Sequence, residues 1–430
     1  MKKLTALLLA ALALTSCTAG TDDIAEGLET YRDVYGGETE GNCTAPAEIA
    51  DGILSQDFIL KHGRYYFELE RYGTVEKEFG SVLGHNVMLA YMDTETGNWS
   101  YACSDPLCSH DSELTCRYVN LAGCYPTETP GVYYCCRTAE HASEILLADL
   151  NRDTVKHVHT MAATFSDIIG YENGKLYFYD KLRSTDGKQT KTVIRFSALD
   201  HATGEITELG YLPDTWPYQT ALPDLVLDGR FYFRSNRKLI RTDPSFREIT
   251  EILETEFEIA QWYLDQNTGE LFVSSVDREQ NRGSVYVYRD GSAEKLALPH
   301  ENIFSFTVTA DKIYYTAFDP VYYGISPITY YMNEQNTPAL IYDYSGGRLY
   351  AADRDNPSEN AELVYEIPAV PANTMPHLWN IAVLGDYLFY EEISLSVQVI
   401  AGTEYVQTED TAKIRVNLAD GTTTKISFAD

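Results

Sequence analysis

Basic residues are scarce in this chain: 33 Lys and Arg stand against 64 Asp and Glu among 430 residues, a formal net charge of −31. Nucleic-acid binding is excluded, because neutralising phosphates needs clustered cations. The familiar catalytic signatures are missing too. There is no Gly-x-Ser-x-Gly elbow, no His-Glu-x-x-His, no phosphate loop, no Cys-x-x-Cys and no Ser-x-x-Lys in a suitable context, so no catalytic residue is assigned. Carboxylates are so plentiful that a glycosidase pair can be neither picked out nor dismissed. No apolar run is long enough to cross a bilayer as a mature helix. What the chain has instead is tyrosine: 33 Tyr, with 16 Phe and 4 Trp, give 12% aromatic residues, a composition that favours strands. Hydrophobic residues make up 44%, enough for a sizeable core.

The N-terminus carries an address. Lys2 and Lys3 precede an apolar stretch from Leu4 to Leu14, followed by Leu14-Thr15-Ser16-Cys17. A charged start, an apolar run too short for a mature span and small residues before a cut define a secretory signal over residues 1–16. The last four residues resemble the bacterial lipobox, and that resemblance implies that the peptide before Cys17 is removed and that Cys17 carries a lipid anchor. Two or three acyl chains hold a protein on a membrane stably where one does not. Losing Lys2 and Lys3 leaves the mature chain more acidic still. Residues 17–42 hold Asp22, Asp23, Glu26, Glu29, Asp33, Glu38 and Glu40 without apolar periodicity, and are expected to be a solvated tether.

From residue 43 onward one short pattern returns: a turn pair, a connecting residue and an apolar or aromatic triplet. Clear copies are His62-Gly63-Arg64-Tyr65-Tyr66-Phe67, Asn173-Gly174-Lys175-Leu176-Tyr177-Phe178 and Asp228-Gly229-Arg230-Phe231-Tyr232-Phe233. Others are Thr268-Gly269-Glu270-Leu271-Phe272-Val273, Ala310-Asp311-Lys312-Ile313-Tyr314-Tyr315 and Gly385-Asp386-Tyr387-Leu388-Phe389-Tyr390, with a degenerate one at Pro130-Gly131-Val132-Tyr133-Tyr134. Asn-Gly and Asp-Gly before β-formers are the strongest short hairpin signal. Each copy is followed by a strand, an Asp and a second turn, as in Ile194 to Asp200 running into Thr203-Gly204-Glu205-Ile206. Two hairpins make a four-stranded blade. The expectation is all-β: a single β-propeller over residues 43–430, most simply with seven blades of roughly 55 residues, slightly above the usual period. A pair of β-sandwiches would show a boundary near mid-chain, and a β-helix a shorter period. Ala47 to Leu60 is available to donate a strand to the last blade and tie the termini together.

Leu176-Tyr177-Phe178-Tyr179-Asp180 is similar to the Leu-Tyr-Trp-Thr-Asp strand of low-density-lipoprotein-receptor-type propellers, with Ile313-Tyr314-Tyr315-Thr316 a partial second match. The mature chain resembles the lipid-anchored extracytoplasmic propeller proteins of Gram-positive anaerobes. The resemblance implies a fold and a place, and no activity. The motif's Trp is missing in every copy, the Gly-His and Trp-Asp pairs of WD repeats are absent, and Asp93 to Trp99 has the wrong spacing for a sialidase Asp box.

Two insertions interrupt the repeat. Residues 103–136 hold Cys103, Cys108, Cys116, Cys124, Cys135 and Cys136, with His110 beside Cys108. Cys-x4-Cys-x-His-x5-Cys is chemically sufficient for a tetrahedral Zn²⁺ site, although it matches no standard finger. Outside the cell such a group more often forms disulfides, with Cys43 as a further partner, and reduced thiols are the third alternative. No cofactor beyond a structural Zn²⁺ is called for. Residues 317–347 carry Tyr322, Tyr323, Tyr330 and Tyr331, a candidate contact surface for sugars or peptides; the plain alternative makes Tyr330 and Tyr331 blade strands. His85, His141 and His201 read as blade or turn residues, and Asp353-Arg354-Asp355-Asn356 as a solvated turn, since it lacks the Gly and distal Glu of a Ca²⁺ loop. The function expected is a lipid-anchored, extracytoplasmic binding or scaffolding module of the cell envelope, engaging the membrane through its anchor and an envelope protein, peptide or glycan through its propeller. The alternative is an envelope glycosidase or lyase with carboxylates around a central channel.

Overall fold

The computed structural model describes the strand backbones 39–40, 50–55, 60–62 and 65–75 and, with breaks, residues 84–426; the longer breaks fall at 94–97, 104–107, 109–115, 139–142, 278–281, 318–328, 333–337, 342–346 and 368–373. Side chains are described from Met88 onward with further breaks, the longest at 183–191, 318–347, 367–380 and 393–412. Among the described residues there is no α-helix.

The strands run as successive antiparallel meanders. Leu121–Pro126, Val132–Thr138, Ser143–Asp149 and Thr154–Thr160 form one set, and Asp167–Glu172, Lys175–Asp186, Gln189–Asp200 and Ile206–Tyr211 the next. Pro223–Leu227, Arg230–Ser235, Lys238–Thr242 and Ile249–Glu254 follow. Ile303–Val308, Lys312–Ala317, Gly347–Asp353 and Ala361–Ile367 make a further sheet, and Thr374–Leu384 to Thr423–Lys425 the last. The four strands from Glu258–Asp265 to Ser292–Lys295 and the four from Leu60–His62 to Trp99–Tyr101 belong to one nine-stranded sheet, joined through Ala50–Ser55.

Every turn-plus-triplet copy falls at the turn between the first and second strands of such a set. The reason is local. Asn173 and Gly174 have φ of 52° and 73°, and Asp228 and Gly229 have 52° and 65°, the two left-handed residues that a primed hairpin turn requires. The Asp ending the third strand closes the second hairpin: Asp200 Oδ1 accepts from the Thr203 amide at 2.9 Å and its hydroxyl at 3.0 Å. The triplets are apolar at consecutive positions because both faces are covered. Phe178 packs towards the 121–160 sheet, while Tyr177 and Tyr179 join Phe231 and Phe233 of the 223–254 sheet.

Core clusters join each sheet to the next in sequence, and the last to the first. The 258–295 and 303–367 sheets share Phe272, Phe306 and Tyr315; the 303–367 and 374–425 sheets share Leu349, Val383 and Leu388. Trp99 then meets Phe389 of the last sheet edge-on, with ring centroids 5.7 Å apart. A ring of four-stranded meanders packed face to face is the arrangement of a β-propeller. Its largest cluster includes both the junction around Met88 and Tyr118 and that around Trp262 and Tyr232.

Several expectations are corrected. Ala50–Ser55 pairs with Glu258–Asp265, Leu54 opposite Leu264, and not with the last sheet. It satisfies the backbone groups along an otherwise open strand edge. Thr39–Glu40, expected within the tether, pairs with Thr154 and Val155. The cysteine-rich insertion is shorter than 103–136, since Leu121–Pro126 and Val132–Thr138 are strands of a sheet. Thr329–Met332 pairs with Pro338–Ile341 as a separate two-stranded hairpin between the second and third strands of the 303–367 sheet, so Tyr330 and Tyr331 are not in its blade strands. Arg354 does not lie in a solvated turn. It reaches Asp265 at 2.6 Å with side chains only 8% and 5% exposed, and also pairs with Glu270.

Candidate functional site

The first turns of four consecutive sheets, from 121–160 to 258–295, border a cavity of about 700 Å³. A carboxylate ties the first of these turns to the second, and another ties the second to the third. Glu128, beside the first turn of the 121–160 sheet, accepts from the Gly174 amide at 2.7 Å and from the Tyr171 hydroxyl. Glu172 repeats the device one sheet on, accepting from the amides of Asp228 at 2.6 Å and Gly229 at 2.7 Å. Burial works to raise the Glu128 carboxyl, but the Tyr171 hydroxyl and the Gly174 amide outweigh it and hold the group below its ordinary range. Burial, and then the neighbouring Glu128, push the Tyr171 phenol upward. Tyr134, stacked on Tyr171, has its hydroxyl 2.7 Å from His201 Nδ1 and is pushed up to about 12 by burial and by Asp200 and Glu128.

Across the cavity Arg241 Nη1 donates to the Tyr288 hydroxyl at 2.7 Å, and Asp228 and Asp290 present carboxylates from exposed turns. The described lining holds no His, Ser or Cys. The arrangement supplies hydrogen-bond donors and acceptors around a concavity, among them the Tyr171 hydroxyl bonded to the Glu128 carboxylate. Sequence reasoning missed this site. Glu172 stands directly before the Asn173-Gly174 turn, but its partners lie 56 and 57 residues further on.

The residues singled out from the sequence fall elsewhere. Cys103, Cys108 and Cys116 come together, their Sγ atoms all within 4.8 Å of one another; Cys116 is buried and the other two are half-buried. A hydrogen bond with Cys103 and burial push the Cys116 thiol up. Cys124 is not in this group. Strand register sets it opposite Cys135, Sγ to Sγ 3.7 Å. Cys136 faces the other way, against Tyr125 and Phe178, and its thiol contacts Asp167, whose carboxyl burial pushes up to about 6. Among the described residues these six cysteines are thiols and none is in a disulfide. Cys17, Cys43, His110, His141, Tyr322 and Tyr323, and the side chains of His85, Tyr330 and Tyr331, lie outside the described residues.

No protein-family model matches the chain, and no curated protein matches it. Among solved structures it is similar to the β-propeller domain of the Trilobed protease from Pyrococcus furiosus, at 10% identity and a TM-score of 0.46, over 86% of this chain and 96% of that one. It is similar to the acylaminoacyl peptidase of Pyrococcus horikoshii at the same identity and TM-score, over 86% of this chain, and spans about half of that one (51%). A chain of the nidogen/laminin complex is 12% identical with a TM-score of 0.31, over 66% of this chain and 89% of that one. At such values none of these likenesses assigns an activity here.

Proposed function

We propose that the chain is a lipid-anchored, extracytoplasmic, seven-bladed β-propeller that acts as a binding and scaffolding module of the bacterial cell envelope. Seven blades follow if the strands between 60 and 101 count as a blade of their own, separate from the 258–295 set to which Ala50–Ser55 joins them. The anchor rests on the similarity of Leu14-Thr15-Ser16-Cys17 to the lipobox, and the standoff on the acidic stretch after it.

The observation that carries the binding reading is the turn-end cavity, polar and built across four sheets. Two of its carboxylates, Glu128 and Glu172, are held by backbone amides of neighbouring turns, which favours gripping a ligand over turning one over. Envelope peptides and glycans carry the hydroxyl, amide and amine groups that Arg241, Asp228 and Asp290 can meet.

The test uses the lipoprotein extracted from its own envelope in mild detergent. Native mass spectrometry is expected to show a retained ligand that Arg241→Ala loses while keeping its melting temperature, and Cys17→Ser should move the protein from membrane to soluble fraction. A bare wild-type chain that turns over an envelope oligosaccharide would overturn the binding reading in favour of the enzyme. Unchanged membrane association of Cys17→Ser would overturn the anchor.

A further inference from the structure

We propose that Cys103, Cys108 and Cys116 form a thiolate site for a soft divalent cation, with Zn²⁺ the natural occupant. The argument is independent of the cavity and rests on how the three thiols are brought together.

The segment that carries them leaves and rejoins one strand. The Ala102 amide donates to the Leu89 carbonyl at 2.8 Å, the Leu89 amide donates to the Tyr118 carbonyl at 3.4 Å, and Met88 bridges to Val119. Both ends of the loop are thus fixed to the Gly84–Asp93 strand, at the junction of the 60–101 and 121–160 sheets. Among its described residues Ala102, Cys116, Tyr118 and Val119 are buried, and Cys103 and Cys108 pack against the same cluster. Closing a loop of this length is where a cross-link contributes most.

Three sulfurs within 4.8 Å of one another match a metal better than a disulfide. A disulfide joins two of them at about 2.05 Å and strands the third. Tetrahedral Zn²⁺ with Zn–S bonds of about 2.3 Å places its sulfurs about 3.8 Å apart, so closing on an ion asks for shifts of an ångström or less. Three thiolates exclude the hard cations Ca²⁺ and Mg²⁺ and select a thiophilic one. Cys103 and Cys108 are reachable from solvent and provide the entry path, while buried Cys116 forms the floor. On binding, the thiols release their protons to solvent, and the ion sits among three sulfur ligands with the fourth position taken by water or another donor. Cys124 stays outside, committed to its cross-strand position opposite Cys135.

The experiment takes the full lipoprotein purified from its host without reductant or chelator. Elemental analysis is expected to find about one Zn²⁺ per chain. It should be lost in Cys103→Ser, Cys108→Ser and Cys116→Ser and kept in Cys124→Ser. Exchange with Co²⁺ should give thiolate-to-metal charge-transfer absorption that the first three substitutions diminish and Cys124→Ser leaves intact. Should buried Cys116→Ser fail to fold, half-exposed Cys108→Ser decides, read with a chelator that lowers the melting temperature of the wild type and not of the variant. A metal-free chain whose peptide map shows a disulfide between any two of the three cysteines overturns the proposal, as does metal content unchanged by Cys108→Ser.

Discussion

Gly283 shows how little room separates neighbouring sheets. A Cβ built there would lie 1.8 Å from the carbonyl oxygen of Ile303, on the first strand of the next sheet. Because the obstacle is backbone, relief requires moving one sheet against the other. Gly170 is in a milder position: its Cβ would meet Val226 Cγ1 at 2.8 Å, the end of a side chain. Gly283→Ala is therefore expected to cost at least about 3 kcal/mol, and Gly170→Ala roughly 1–2 kcal/mol, on the scale of overpacked cores. Urea denaturation of the two variants checks the order; equal midpoints would show that the sheets slide freely enough to absorb a methyl at either place. Neither glycine could be recognised from the sequence as a contact point. The turn glycines were legible because their φ requirement is local, whereas Gly283 matters only through a strand that follows in another sheet.

At the scale of the element, the hairpins were legible and the ties between them were not. Asn173-Gly174 and Asp228-Gly229 declare their turns in two residues, and Asp200 with Thr203 declares the next, because each is satisfied within a few residues. Glu128 and Glu172 instead bridge 46 and 57 residues to the amides of Gly174 and Gly229, a distance over which spacing says nothing. The cysteines divide in the same way. The proximity of Cys103, Cys108 and Cys116 in sequence carried over into space, but Cys124 went to Cys135 because strand register decided its neighbour. Arg354, read as solvated from its Asp-rich surroundings, is buried because Asp265 and Glu270 of the preceding sheet receive it. The tie is open to measurement. Glu172→Ala removes two charge-assisted acceptors from the Asp228-Gly229 turn, and since water can reach that turn the loss should be modest, about 1–2 kcal/mol. Glu172→Gln should recover part of it. Thermal melts of the three proteins would show this order, and an unchanged melting temperature for Glu172→Ala would mean that apolar packing alone holds the 167–211 and 223–254 sheets together.

For the whole molecule the question is what closes the ring. No strand is shared between the last sheet and the first among the described residues; Ala50–Ser55, which had the length for it, is paired with Glu258–Asp265. Among the described residues, closure falls to side chains. Trp99 is 3% exposed between Ala90, Met92, Ala382 and Leu384, edge-on to Phe389, and Lys413 of the last sheet lies over its ring at 4.2 Å. A cation over an indole face adds attraction to the apolar contact. Removing the ring by Trp99→Ala should cost about 3–5 kcal/mol, as large aromatic-to-alanine changes in cores do. Where the cost appears distinguishes two kinds of molecule. If the sheets form one cooperative ring, hydrogen exchange should accelerate in Gly84–Asp93 and in Thr374–Leu384 and Tyr387–Ile400 together, because opening either side exposes both. If each sheet were stable alone, faster exchange would stay within Gly84–Asp93 and Trp99–Tyr101. The first outcome is expected, since the same residues that bury one face of the first sheet bury one face of the last.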